Sequence, residues 1–442
     1  MSRAYSILGC RFFLVAFCSL SVLSVTAQDT ADLKKELDDL RQQNRLLQNQ
    51  LQQQQDMINQ LSQKFSEFQQ TNAARENNLP AKPAEADDSS AAPPKSKGFT
   101  LGNVVISGEG AAGFFETGKN GQYPNAPFRV DEARFFVDAP IWDNVYFYGQ
   151  LDLITPQSPD AGLYLGELYV EAEGLAKHWD MDQLLNLRIG NLYIPFGEEY
   201  QNRFAIDDPL ISHSLSDLWG YNPGLELYGS WKKMSYVVAV QNGGISTLND
   251  NTADKSIAGR IGYDPASWLH FSVSAMRTGK LSAAEDISAM WFGDGLFQSI
   301  GSPTTTVFRV SLGEADAAVK WKSGYAKAAG GGATYDDNDP TADNHRNIYY
   351  YYLEALQHLT PKIYGVTRFS QIRADGGYPI VGDTPTFGLP TSDLWRLSLG
   401  LGYHFNDHLI WKVEYMFEQG RLSTGGARDH ENMIATEAAF KF

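Results

Sequence analysis

The 442-residue sequence predicts an all-β protein, a transmembrane antiparallel β-barrel of about 16 strands preceded by an N-terminal α-helical coiled coil. Three observations point there. The chain opens on a secretory signal, it ends on an alternating strand with an aromatic last residue, and between them short period-two segments are joined by turns of two sorted lengths.

In the final strand Ile434, Thr436, Ala438, Phe440 and Phe442 fall on one face, and Ala435, Glu437, Ala439 and Lys441 on the other. A period of two sends one row outward, and a terminal Phe-x-Phe suits the bilayer boundary, where aromatic girdles lie. A half-buried strand of a soluble sheet would share this pattern, so the other end of the chain matters. Residues 1–27 combine Arg3 and Arg11, an apolar run from Phe12 to Val25, and a small-x-small site at Val25-Thr26-Ala27. This is a cleavable signal peptide, its apolar core short of the about 20 residues a spanning helix needs. Leu8-Gly9-Cys10 looks like a lipidation box but precedes the apolar core. Both cysteines, Cys10 and Cys18, lie inside the signal, so the mature chain holds no disulfide.

Residues 1–27 contain two arginines and no Asp or Glu, so their removal takes the formal net charge from −16 to −18. An acidic chain is a poor partner for nucleic acid. No later stretch is long and apolar enough for a spanning helix, yet a barrel of alternating strands has the same bland mean hydropathy, here −0.32.

Residues 28–71 read as a coiled-coil segment, in which 33–68 follow a heptad without a slip. Leu37, Asn44, Leu51, Ile58 and Phe65 take one seam position, and Leu33, Leu40, Leu47, Gln54, Leu61 and Phe68 the other. The remaining positions are too polar to face a globular core, so the seam is expected to bury itself against further copies of the chain. Asn44 and Gln54 weaken the seam but penalise wrong registers, and the pattern leaves dimer and trimer open. Residues 72–98 are rich in Ala, Pro, Asp, Ser and Lys without apolar period, and Pro80, Pro83, Pro93 and Pro94 stop any helix. They read as a flexible linker, with a cell-wall-binding segment as the alternative.

Residues 99–442 form the predicted barrel, with strands near 103–116, 128–139, 143–155, 161–173, 184–194, 223–232, 234–242, 255–264, 267–278, 306–322, 324–335, 347–359, 361–373, 394–405, 408–419 and 431–442. Trp411, Val413, Tyr415 and Phe417 oppose Lys412, Glu414, Met416 and Glu418, and Trp395, Leu397, Leu399 and Leu401 oppose Arg396, Ser398, Gly400 and Gly402. Short turns at 231–233, Asp264-Pro265, 322–324, Thr360-Pro361 and Asn406-Asp407 join even strands to odd ones, and long polar loops join odd to even. Outer-membrane barrels sort their turns this way, short on the periplasmic side and long outside, and an even strand number brings both ends of the barrel to the periplasm. The coiled coil is then periplasmic.

Arg188-Ile189-Gly190, followed by Pro195-Phe196-Gly197-Glu198, resembles the stretch that leads into the third loop of the phosphate-selective porin O and P family of outer-membrane porins. The resemblance covers the barrel and includes Arg134-Phe135 on the second strand. It implies a third loop, residues 195–222, folded into the lumen. The heptad segment is similar to that of trimeric dicarboxylate-permeable porins, which implies a trimer.

The family's phosphate selectivity does not transfer with the fold, because this third loop sets Arg203 against Glu198, Glu199, Asp207, Asp208 and Asp217. Alternation places Arg188, Arg260 and Arg396, and with them Arg134, on the lumen side. Acidic loop residues facing these cations would create a transverse field, which orients dipolar solutes without strong charge selection. Anion or dicarboxylate preference is the alternative, and each arginine has a plainer reading as a strut paired with a neighbouring carboxylate. The expected partners are copies of the chain, outer-membrane lipid and lipopolysaccharide, small hydrophilic solutes or ions, and on one reading the cell wall.

Other patterns carry less. Gly108-Glu109-Gly110-Ala111-Ala112-Gly113 fits a dinucleotide motif but lies within a strand, where small residues serve close packing. His404 and His408 flank a turn without a third ligand, and Asp336-Asp337-Asn338-Asp339 lacks a calcium-loop pattern. No cofactor or enzyme motif is present, which leaves a hydrolase with Ser and His on the outer face, and a tether acting through the coiled coil, as alternatives to a channel.

Overall fold

The structure, a computed structural model, describes residues 99–156, 162–179, 181, 183–243, 254–282, 291–292, 306–337, 346–375, 391–422 and 425–442. The expected signal (1–27), coiled coil (28–71) and linker (72–98), and the last two residues of the acidic run 336–339, lie outside the described residues.

Nineteen strands share one sheet, of which Phe99–Leu101, Leu281–Ser282 and Ala427–Arg428 are rim extensions of two or three residues, leaving sixteen in the ring. The sixteen are β1 (Val104–Thr117), β2 (Phe128–Trp142), β3 (Val145–Ile154), β4 (Tyr164–Ala172), β5 (Asn186–Tyr193), β6 (Tyr221–Trp231), β7 (Met234–Gln241), β8 (Ser256–Ala266), β9 (Leu269–Arg277), β10 (Val307–Trp321), β11 (Gly324–Asp337), β12 (Arg346–His358), β13 (Ile363–Asp375), β14 (Thr391–Asn406), β15 (Leu409–Leu422) and β16 (Met433–Lys441). Each pairs antiparallel with the next, and β16 pairs with β1 from Glu109↔Lys441 to Thr117↔Met433, which closes the barrel and leaves no free edge.

The period of two sorts the side chains as the sequence suggests. On β15 Lys412, Glu414, Met416 and Glu418 are buried inside while Trp411, Tyr415 and Phe417 are exposed outside. Phe440 and Phe442 point outward too, and their rings lie over β1. A Cβ on Gly108 would come within 2.7 Å of the Phe442 ring, and one on Gly110 within 2.9 Å of the Phe440 ring. Gly108 and Gly110 of the false dinucleotide motif thus make room for the terminal aromatics, and Ala111 after them packs inward.

Six of the seven even-to-odd connections are short turns, among them Asp143-Asn144, where Asn144 takes φ +59°, a conformation its short polar side chain tolerates. The exception, between β4 and β5, holds a 3₁₀ turn at Lys177–Trp179. One expected turn moves. Asp264 and Pro265 belong to β8, whose register shifts between Tyr263 and Ala266, and the chain reverses at Ser267-Trp268 instead. A proline lacks a ladder donor and is accommodated at such a bulge.

Candidate functional site

The segment between β5 and β6 is set up by two glycines at its entry, Gly190 and Gly197. Gly190, with φ +154°, lies in β5, where a Cβ would collide with the Leu168 carbonyl of β4, and beyond it Asn191 and Leu192 are both buried on consecutive positions. Phe196 is buried with Ile194, Leu215 and Leu218 against inward apolar residues of β8 to β14, among them Val310, Ile348 and Leu394. Gly197, at φ +72°, sits so close to Glu314 of β10 that a Cβ would lie 2.5 Å from its Oε1. Leu218–Trp219 also pairs with Trp291–Phe292 of the β9–β10 connection. Residues 221–222, expected within the loop, belong to β6.

From there the segment is held by inward-facing side chains of seven strands. On β9 and β8, Gly197 N–H donates to Ser274 Oγ at 3.0 Å, Arg260 donates to the Gly197 carbonyl at 3.0 Å, and Glu198 meets Arg260 at 3.4 Å and His270 at 3.2 Å. On β2 the Glu132 carboxylate accepts from Ala205 N–H at 3.1 Å. On β15 Lys412 Nζ donates to the carbonyls of Ala205 at 2.8 Å and Leu210 at 2.9 Å, and Glu414 accepts from the amides of Ile211 and Ser212 at 2.7 and 2.8 Å. On β13 Arg368 reaches the Asp208 carboxylate at 3.1 Å and the Ser212 carbonyl at 2.6 Å, and Tyr364 OH donates to the Pro209 carbonyl at 2.8 Å. Arg396 of β14 donates to the His213 carbonyl at 3.0 Å, and Lys441 of β16 lies 3.5 Å from Asp207.

Arg368 and Lys412 are 2% and 1% exposed. A cation buried that deeply needs partners, because desolvation costs several kcal/mol per ion. Arg368 has Glu354 at 2.5 Å besides Asp208, and Lys412 has Glu437 at 2.8 Å. Burial alone would raise the Asp208 carboxyl, but Arg368, with His213 and Lys412, outweighs it and holds the group well below the usual carboxylate range. Glu198 is likewise lowered, burial being overcome by the hydrogen bond from His270 and by Arg260.

Of the residues anticipated from sequence, Glu198 with Arg260 form one contact between loop and wall, and Arg203 with Asp217 a pair inside the loop, the guanidinium 4.6 Å from the Trp219 ring. Glu199 accepts from Ser214 N–H at 2.9 Å, within the loop. Arg134 pairs with Glu109, Glu132 and Asp152 and lies 4.8 Å from the Phe204 ring. Arg396 pairs with Glu418 at 2.7 Å. Arg188 stands apart on the wall, between the Tyr169 and Tyr228 rings and bonded to Glu171 and Glu226. Sequence reasoning missed Arg368, Lys412, Glu414 and Glu132 as loop contacts, and β13 itself gives no strong period by which to find Arg368.

His408 Nδ1 lies 3.1 Å from the Lys441 carbonyl, while His404 packs its ring 5.5 Å from Tyr364, so the two do not converge as a metal clip. Among the described residues no group of three or more His, Cys, Asp or Glu is arranged to hold a metal.

Neither a protein-family model nor a curated protein sequence matches the chain significantly. Solved structures do. The outer-membrane protein OmpT of Vibrio cholerae is 9% identical, with 78% of this chain and 100% of that one covered and a TM-score of 0.53. Its loop L8 deletion mutant gives 13%, 77%, 99% and 0.51. The outer-membrane channel DcaP of Acinetobacter baumannii is 12% identical over 78% of this chain and 99% of its own, at 0.51. At this identity the likeness is one of fold, the closed 16-stranded antiparallel barrel.

Proposed function

We propose that the protein is an outer-membrane channel for passive diffusion of small hydrophilic solutes or ions, its lumen narrowed by residues 195–220 folded inward. The observation that carries this reading is the grip of inward-facing side chains of seven strands on residues 197–213. A polar interior behind an apolar outer face is what a water-filled barrel requires. The solved channel with a similar fold from Acinetobacter baumannii, and an OmpT structure described as a trimer form, support the same reading and a three-subunit assembly.

The pairings also bear on selectivity. Glu198 and Asp208 contact wall cations directly, so they do not stand opposite them across open water. Paired charges present small net fields, which favours weak selectivity set by width and dipoles over an anion filter of the phosphate-selective porin type. The test is the zero-current potential of purified protein in a planar bilayer under a salt gradient, with the conductance step. Stepwise conductance with a potential near zero is the expected result. A strong anion potential would restore the anion-selective reading, and the absence of any conductance would overturn the channel.

A further inference from the structure

A groove of about 610 Å³ crosses the outer face of the barrel from β10 to β16. Its origin is local. Outward positions on neighbouring strands carry large apolar side chains, but Ala355 on β12 and Gly365 on β13 are small, and the flanks are Trp321, Leu399, Leu401 and Tyr415. A Cβ at Gly365 would fit without a clash, its nearest neighbour Leu401 Cδ2 standing in ordinary contact at 3.7 Å. From β12 to β16 it crosses four strand spacings, roughly 19 Å, the order of an extended fatty acyl chain.

One end of the groove is polar. Trp321 Nε1 donates to Gln357 Oε1 at 2.9 Å, Gln357 donates on to Ser323 Oγ at 2.8 Å, and Lys362 Nζ lies 6.0 Å from the ring of outward-facing Tyr403. Ser323 and Lys362 belong to the β10–β11 and β12–β13 connections, so this end lies at the rim of short turns. An apolar trough that ends at an interfacial tryptophan, a tyrosine and a lysine has the chemistry of a lipid seat.

We propose that the groove binds a phospholipid of the leaflet at the short-turn rim, an acyl chain lying over Gly365 and the phosphodiester meeting Lys362. Two features set this occupant above a second copy of the chain. The groove is sunk over Ala355 and Gly365 between large side chains, which fits a flexible chain better than the broad face of another barrel. Beyond Leu401, Lys362 stands over the Tyr403 ring, and Lys322 occupies the turn between Trp321 and Ser323, so the rim at the polar end carries cations where a headgroup phosphate would stand. The inference rests on the barrel lying in a membrane, not on what passes through it.

The test uses the full chain in detergent, mixed with phosphatidylglycerol and phosphatidylethanolamine, with retained lipid counted by native mass spectrometry. The expected result is one tightly retained phospholipid per chain. Gly365→Leu should weaken retention about tenfold, the effect of displacing some two methylenes from the groove. Lys362→Gln should remove the preference for phosphatidylglycerol, and Ala275→Leu, outward on β9, should change neither. All three variants should keep wild-type conductance in a planar bilayer, which separates this site from the proposed channel. Equal retention by wild type and Gly365→Leu would overturn the proposal. So would efficient disulfide cross-linking of Leu401→Cys between copies in the membrane, which would assign the groove to a subunit contact.

Discussion

Arg368 shows how much one interior side chain decides. Its guanidinium joins β12, β13 and the inserted loop through Glu354, Asp208 and the Ser212 carbonyl. Replacing it by Met roughly keeps the volume but takes the nearest cation from two buried carboxylates, leaving Glu354 with Lys327 at 3.0 Å and Asp208 with His213 at 3.2 Å, so the loss stays below the about 3–5 kcal/mol of a buried pair stripped of its only partner. The expected outcome for Arg368→Met is a loop partly released from the wall, read as a larger and noisier single-channel conductance. Arg373→Met, 61% exposed beside Asp375, should behave as wild type. Arg188→Met should lower thermal stability without changing conductance, since its partners Glu171 and Glu226 lie on the wall away from the loop. A second residue-scale prediction concerns Glu431, in the β15–β16 connection, bonded to Arg428 at 2.7 Å. Burial pushes its carboxyl up to about 7, against the pull of Arg428 and with the help of Glu418. The folded state therefore holds this proton more tightly than the unfolded chain, and stability falls as pH rises from about 4.5 to 7. Hydrogen exchange of residues 425–432, corrected for intrinsic rate, should show stronger protection at pH 5 than at pH 8, and Glu431→Gln should flatten the difference.

Among elements, the strands were more legible than the loop. Trp411 to Phe417 alternate in the sequence because one row faces out of the barrel and the other into its interior, and each of the sixteen expected spans lies within about three residues of an observed strand. The displaced turn at Asp264-Pro265 shows where local punctuation misleads, since a bulge absorbed the proline. For the inserted loop the motif around Gly190 and Gly197 marked the entry, and acidic residues marked the contents. The partners were hidden, because which wall cation meets which carboxylate depends on shear and tilt that no single strand encodes. On β13 the outward row includes Gly365, Thr367 and Gln371, so its inward partner Arg368 gave no contrast. Gly197 tests the entry directly. Gly197→Val combines a positive φ, costing about 1–2 kcal/mol for an L residue, with a Cβ at 2.5 Å from Glu314 Oε1. The variant should still form the barrel, seen as an unchanged strand signal in circular dichroism. Its loop should lose the seat between β8 and β10, seen as protease cleavage within residues 197–217 that the wild type resists.

At the scale of the whole molecule, closure of the ring and the proposed assembly of copies are separable. The ring needs residues 104–441 alone, since β16 pairs with β1 and every strand finds both neighbours within that span. The heptad of residues 33–68 has nine large apolar seam residues between polar flanks, and we propose that it buries this seam against other copies of the chain. Deleting residues 29–97 should therefore leave the barrel folded and the conductance of each pore unchanged, while the mass in detergent falls from three copies towards one and insertion steps shrink from triple to single. If the deleted form stays trimeric, the barrel surfaces themselves hold the copies together and the coil only reinforces them. If the cells lose envelope integrity while solute flux per barrel is preserved, the segment's main work is anchorage to the cell wall. A loss of conductance per pore, by contrast, would mean that the heptad region shapes the channel, which the closed ring gives it no need to do.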